Sequence, residues 1–174
     1  MATATHIPLE QYLSTDYEPD AEYVDGEVEE RNVGGYEHNL VQLALVNWFN
    51  EHGREWGIRS IQEQRTRLTP TRYRIPDVCV FRRGLPRESV FTQPQIVAIE
   101  VLSPEDKHSK IQERIEDFIN VRVPNVWVID PIRRIGWNCS DGNWIRQERF
   151  AVSGTLIYLS LDELFRRIDE EEKD

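Results

Sequence analysis

The sequence has little sulfur, with two cysteines and one methionine in 174 residues. Cys79 and Cys139 lie far apart and outside any C-x-x-C arrangement, which excludes a disulfide framework or a zinc knuckle and leaves both as buried apolar residues. No stretch approaches the roughly 20 apolar residues that span a bilayer. The N-terminus lacks the basic, apolar and small-residue order of a signal peptide, so the expectation is a cytoplasmic protein without membrane contact. There is no G-x-x-x-x-G-K-[ST] and no G-x-G-x-x-G, hence no nucleotide cofactor, and no G-x-S-x-G nucleophile elbow. The four histidines show no metal-ligand spacing, so zinc is not expected. Internal repeats and low-complexity linkers are also missing.

What remains is globular in composition: 39% hydrophobic, 30% charged and 10% aromatic, values that exclude a disordered or collagen-like chain. The length fits one domain, read as residues 1–168, followed by an acidic tail, 169–174. A net charge of −10 argues against a protein that coats nucleic acid. The distribution qualifies this. Between Arg59 and Arg87 lie eight arginines against two acids, a local balance of +6. Such a segment can face a phosphate backbone in weak, salt-sensitive contact, or its arginines can pair with the acidic N-terminal forty residues.

Along the chain, Ile7 to Leu13 predicts a short helix with Pro8 at its start. Asp25-Gly26, set between alternating residues, predicts an N-terminal β-hairpin over Glu22 to Glu29. Helical spacing of Leu40, Leu43, Ala44, Val46, Trp48 and Phe49 predicts a helix from Tyr36 to His52, closed by Gly53. Extended segments follow at 58–68 and 76–81. The run Ile96 to Leu102 reads as a strand buried on both faces. A second helix opens at Ser103-Pro104, and Asn125 to Ile129 is another buried strand. Two strands flank Asp141-Gly142, and a strand near Leu156 to Leu159 leads into a helix begun by Asp162 and an acidic tail frayed from Asp169. The order describes an α/β domain whose mixed central sheet is flanked by helices.

The chemistry centres on a carboxylate in a buried strand. An ionised Glu100 amid Ile99, Val101 and Leu102 costs several kcal/mol unless a cation or hydrogen bonds compensate it. Asp77, at the start of the preceding strand, is the candidate partner if the two strands are neighbours. Two such carboxylates, with water and a phosphate oxygen, suit Mg²⁺, which polarises a phosphodiester and acidifies bound water. This reading fails if the two side chains lie on opposite sides of the sheet, or if each is already neutralised by an arginine. Two acids on adjacent strands also occur in many α/β proteins with no site between them.

Arg74-Ile75-Pro76-Asp77-Val78-Cys79-Val80, Ile99-Glu100-Val101-Leu102-Ser103-Pro104 and Pro124-Asn125-Val126-Trp127-Val128-Ile129-Asp130-Pro131, in this order, resemble the Uma2 family of restriction-endonuclease-like proteins within the PD-(D/E)XK nuclease superfamily. Glu22-Tyr23-Val24-Asp25-Gly26-Glu27 and the helix bearing His38 are similar too, so the resemblance runs from about residue 7 to about 165. It implies a restriction-endonuclease-like core with Asp77 and Glu100 holding Mg²⁺, or Mn²⁺ in its place. The superfamily lysine two positions after the glutamate is here Leu102. The lysine that such families carry on the following helix falls on Arg114, and the acid one turn before it on Lys110. Arg114 can stabilise charge on a phosphorane but cannot shuttle a proton, and Lys110, at i, i+4, can reach the same place. Alternatively Lys110 pairs with Asp106 on the surface and Arg114 forms a structural salt bridge. His38 either faces the phosphate or a metal-bound water, or hydrogen-bonds the N-terminal hairpin from its helix terminus, and Glu22 either adds a third acid to the metal or pairs with an arginine such as Arg74.

Three functions follow. The first is a Mg²⁺-dependent endonuclease acting on DNA, with catalytic residues Asp77, Glu100, Lys110, Arg114 and His38, metal contacts from Asp77, Glu100 and Glu22, and Arg65, Arg67, Arg72 and Arg74 along the DNA backbone. The second is a catalytically degenerate relative that binds nucleic acid or protein, motivated by Leu102 and the acidic charge. The third is an interaction module that pairs through exposed Trp137 and Trp144. A homodimer is expected, because single-centre subunits that cut both strands usually act in pairs.

Overall fold

The computed structural model describes residues 6–173. In chain order the elements are α1 (Leu9–Leu13), β1 (Ala21–Val24), β2 (Glu27–Glu30), α2 (Tyr36–Glu51), β3 (Ile58–Gln62), β4 (Thr66–Thr69), β5 (Arg72–Arg74), β6 (Val78–Arg82) and β7 (Val97–Val101). They continue with α3 (His108–Asn120), β8 (Asn125–Asp130), β9 (Ile135–Asn138), β10 (Ile145–Gln147), β11 (Arg149–Ala151), β12 (Tyr158–Ser160) and α4 (Leu161–Glu171).

The central sheet has six strands in the order β10-β9-β8-β7-β6-β3. It is mixed: β7 and β8 run parallel, joined by the α3 crossover, and the other neighbours are antiparallel. Strands β7 and β8 carry near-continuous apolar runs because helices cover both faces of the sheet. On one face Leu45, Trp48 and Phe49 of α2 and Leu164 of α4 pack against Val78, Val80, Ile99, Trp127 and Ile129. On the other, Ile111, Ile115 and Phe118 of α3 cover Ala98, Val126 and Val128. A second sheet, β2-β1-β5-β4, contains the predicted N-terminal hairpin, whose turn residues Asp25 and Gly26 have φ of 50° and 99°, as a tight hairpin turn demands. Cys79 and Cys139 are both buried thiols.

Four local expectations are corrected. The extended segment 58–68 breaks at Glu63, whose φ of 49° turns the chain from the central sheet into the second one. The helix expected from Ser103 begins only at His108, because the Asp106 side chain accepts the Ser103 backbone N–H at 2.7 Å and closes a separate turn. Helix α4 continues through Glu171 instead of fraying at Asp169, whose carboxylate is held by Arg134 at 2.6 and 2.8 Å. Trp137 and Trp144 are partly buried against α3 and meet each other edge-on at 5.4 Å, so they form no exposed aromatic surface. Among the described residues no helix is long and apolar enough to cross a membrane.

Candidate active site

The register of β6 on β7 pairs Val78 with Ile99. One step further along the antiparallel ladder, Asp77 stands opposite Glu100. Alternation of side chains puts both on the face covered by α3. The two carboxylates therefore share one side of the sheet, and both are buried, at 2% and 1% exposure.

Their surroundings differ. Asp77 is well supplied with donors: Arg31 Nη2 on Oδ1, the Val101 backbone N–H on Oδ2 at 2.7 Å, and His38 Nε2 at 3.4 Å from Oδ2. Burial pushes its acidity the other way, but Arg31, His38 and the Val101 N–H together hold its pKa below the ordinary value. Glu100 has almost nothing. Neither carboxylate oxygen accepts a hydrogen bond, and its nearest cation is Arg114 Nη1, 3.5 Å from Oε2. Burial, then the neighbouring Asp77 charge, push the Glu100 pKa up to about 8 against the pull of Arg114 and Arg31.

Glu22, on β1, accepts the Ile75 backbone N–H at 2.9 Å, Arg74 Nη1 at 2.8 Å and Arg114 Nε at 3.1 Å. Despite burial, Arg114, Arg74 and Arg31 keep its pKa below normal. Glu22 thus aims Arg114, which bridges from it toward Glu100. Arg31 and Arg114, with side chains 10% and 13% exposed, form the outer layer over the buried acids.

The sequence matches the family Uma2, described as "Putative restriction endonuclease", over residues 9–163. The chain belongs to the Uma2 family. Among solved structures, the Uma2 protein resembles one titled as a "putative nuclease belonging to DUF820" from Anabaena variabilis ATCC 29413, with a TM-score of 0.76 and 22% identity over 93% of this chain and 99% of that one. That likeness establishes a shared fold. A DrdV–DNA complex solved by cryo-electron microscopy is a distant match, with a TM-score of 0.43 and 12% identity over 74% of this chain and 11% of that one. No curated protein matches.

The remaining residues expected at the Uma2 site lie as follows. Lys110 turns outward, its Nζ on Glu29 at 2.6 Å and Glu113 at 3.3 Å, so it joins a surface network rather than the carboxylates. Its predicted partner Asp106 is instead used by Ser103 and by Asn32. His38 packs beside Asp77; burial opposes its proton, but the hydrogen bond and charge of Asp77 outweigh this and raise its pKa. Of the four arginines expected on DNA, Arg74 is 1% exposed and caged by Glu22, Glu29, Glu113 and Asp117, which removes it from any backbone contact. Arg72 pairs with Asp25 and Asp117, and Arg65 lies over the Tyr12 ring at 4.8 Å. Arg67 is exposed. Leu102 packs with the apolar cluster under α3, so no lysine replaces it at the sheet.

Arg31 is the residue that motif reading overlooks. Its signal is compositional: it is the only Lys or Arg among the first 53 residues, which hold 11 acids. A lone cation there has a carboxylate to meet.

Among the described residues no three His, Cys, Asp or Glu side chains converge as a ready-made metal cage. Mg²⁺ needs less, since it is often held by one or two carboxylates with water and phosphate oxygens completing its shell. The two bare oxygens of Glu100 beside Asp77 fit that requirement. Glu22 has both oxygens committed to Ile75, Arg74 and Arg114, and Asp77 has both committed to Arg31, Val101 and His38, so the carboxylate oxygens without a donor are those of Glu100. Arg31 is the competitor: its guanidinium supplies the positive charge that Asp77 would otherwise take from a metal ion.

Proposed function

We propose that this Uma2 protein is a Mg²⁺-dependent endonuclease that hydrolyses DNA phosphodiester bonds, with Mn²⁺ as an effective substitute. The observation that supports this reading is a cross-strand pair of buried carboxylates, one of which has no hydrogen-bond donor at all. Such a group costs stability when ionised and is kept where a cation is to be bound. Asp77 and Glu100 would hold the ion, which when bound polarises the phosphoryl group and acidifies a water. Arg114, aimed by Glu22, donates to the phosphate oxygens as negative charge builds on them. His38 keeps its Nε2 proton facing Asp77 Oδ2 and orients that carboxylate. Burial and the Asp77 charge favour the protonated form of Glu100, so a cation would bind in competition with that proton and its affinity would rise with pH up to about 8. Subunits of this kind act as a homodimer when both strands are cut.

The deciding experiment incubates plasmid and single-stranded DNA with the protein at low salt in Mg²⁺, Mn²⁺ or EDTA. Cleavage is expected with either ion, with loss in EDTA and in Asp77→Asn. Intact DNA under every condition removes the reading. A related expectation concerns Arg31. Arg31→Gln takes away the competing cation and should tighten Mg²⁺ binding about tenfold by calorimetry, roughly 1.4 kcal/mol. Unchanged or weaker binding would show that Arg31 does not contend for the metal position.

A second reading, a nuclease-fold protein that binds nucleic acid or protein without cutting, is favoured by Leu102 in the lysine position and by the Arg31–Asp77 pair. Binding without turnover, indifferent to Asp77→Asn, selects it.

A further inference from the structure

The sheet face that carries Asp77 continues through Cys79 to Phe81, residues i, i+2 and i+4 of one strand. There, beside the edge strand β3, a cavity of about 450 Å³ opens, within the range of small-ligand sites. Its floor is apolar: Ile61, Phe81 and Phe91, the two rings 4.6 Å apart. The floor is held in place, since the Phe91 N–H donates to the Arg65 carbonyl at 2.8 Å and the Phe91 carbonyl accepts from the Arg67 N–H at 2.9 Å. Its rim is cationic. Arg59, Arg83 and Arg87 line it, and all three are exposed.

The rim arginines carry uncompensated charge. Among the described residues nine arginines form ion pairs and nine form none, and three of the unpaired nine, Arg59, Arg83 and Arg87, gather at this one cavity. The one acid lining the cavity, Glu88, is occupied with its own loop, accepting the Thr92 N–H at 3.0 Å and hydroxyl at 2.8 Å. Three cations and one acid leave a balance of +2 over an apolar floor. A ligand that matches has a flat apolar body and at least one dianionic or two monoanionic groups.

We propose that this cavity takes an unpaired nucleotide of the substrate strand, its base against the Phe81–Phe91 floor and its flanking phosphates on Arg59, Arg83 and Arg87. This rests on the nuclease reading. Phe81 lies four positions after Asp77, roughly 13 Å at 3.3 Å per residue, so the seated nucleotide lies a few nucleotides from the scissile phosphate. Guanidinium groups recognise phosphate oxygens in bidentate fashion, and a base reaches an apolar floor only where it is not stacked in a duplex. The cavity therefore makes the protein prefer single-stranded or splayed DNA.

Fluorescence anisotropy with a labelled oligothymidylate 12-mer, in EDTA so that nothing is cut, tests this against the same oligomer annealed to its complement. Wild type should bind the single strand more tightly. Arg59→Gln/Arg87→Gln should weaken single-strand binding at least tenfold, lower its salt slope by about 0.7 for each phosphate no longer neutralised, and affect duplex binding far less, with an unchanged melting temperature. If wild type binds the oligomer and the double variant binds it equally well, the cavity proposal fails and the nuclease reading stands. If wild type cleaves duplex DNA but does not prefer single strands, the cavity proposal again fails alone; if it neither binds nor cuts any DNA, both fail. Thymidine monophosphate that binds wild type but not the variant, without displacing the oligomer, would assign the cavity to a free nucleotide and overturn the strand proposal.

Discussion

Glu100→Gln should abolish Mg²⁺-dependent cleavage while making the metal-free protein harder to unfold. The two effects have opposite signs because one group serves the ion and burdens the fold. Its carboxylate is buried, unbonded and set against Asp77, and burial followed by that neighbouring charge raises its pKa from 4.5 to about 8. A glutamine of the same shape removes the charge and so the repulsion. In turnover the expected loss is about 10²–10³-fold, the scale on which removal of one electrostatic contact at a reacting centre is felt. In stability the sign follows from linkage. A group whose folded pKa lies above its unfolded value contributes fully below about 4.5, and that contribution is lost as pH rises to about 8. At full ionisation the loss is on the order of 5 kcal/mol, at about 1.4 kcal/mol per pKa unit, an upper bound since the buried pair can relax. Wild type should therefore show a falling melting temperature from pH 4.5 to 8 in EDTA, and Glu100→Gln a much flatter curve. A residual slope belongs to His38, whose raised pKa acts in the same direction above 6.5. Asp77, with its lowered pKa, contributes above its unfolded value and loses that only as pH falls below about 3.8, outside this window. Equal pH profiles for the two proteins, or full activity of the variant, would refute the assignment of Glu100 as a bare metal-binding carboxylate.

Much of this site can be read from the chain because its geometry is local. Asp77 and Glu100 lie at the same end of two strands that pair antiparallel, and alternation then decides that both face the same side. The Asp25-Gly26 turn is equally local: both residues adopt the left-handed conformation that a tight hairpin requires. What escapes is set by long-range partners. Arg31 and Asp77 are separated by 46 positions, and no periodicity links them. The Arg74–Glu22 pair is one of the alternatives the sequence itself offers, but the closing of the cage by Glu113 and Asp117 of α3 is not. Lys110 and Arg114 sit one helical turn apart, but the outer one finds Glu29 before it can reach the sheet. Side-chain identity named the chemistry of each group; only the packing of β1, β5 and α3 determined which of them meet.

Arg74→Met is expected to cause the largest stability loss. The Arg74 guanidinium ties three elements together, with Nη1 2.8 Å from Glu22 on β1, Nη2 2.7 Å from Asp117 and 3.0 Å from Glu113 on α3, and its own backbone on β5. Glu22 is 0% exposed and Asp117 5%, so removing the cation leaves two carboxylates in the interior with reduced compensation. Breaking such a buried pair costs about 3–5 kcal/mol, which for a chain of this size lowers the melting temperature by roughly 6–20 °C. Packing is not the cause, because methionine keeps most of the aliphatic stem. The distinction is testable: Arg74→Met/Glu22→Gln/Asp117→Asn, which also neutralises the stranded acids, should recover most of the loss. Activity should not return with stability, since Glu22→Gln takes the negative charge from beneath Arg114 and loosens the guanidinium that steadies the phosphate. A melting temperature within about 2 °C of wild type for Arg74→Met alone would show that the cage does not hold the second sheet against α3.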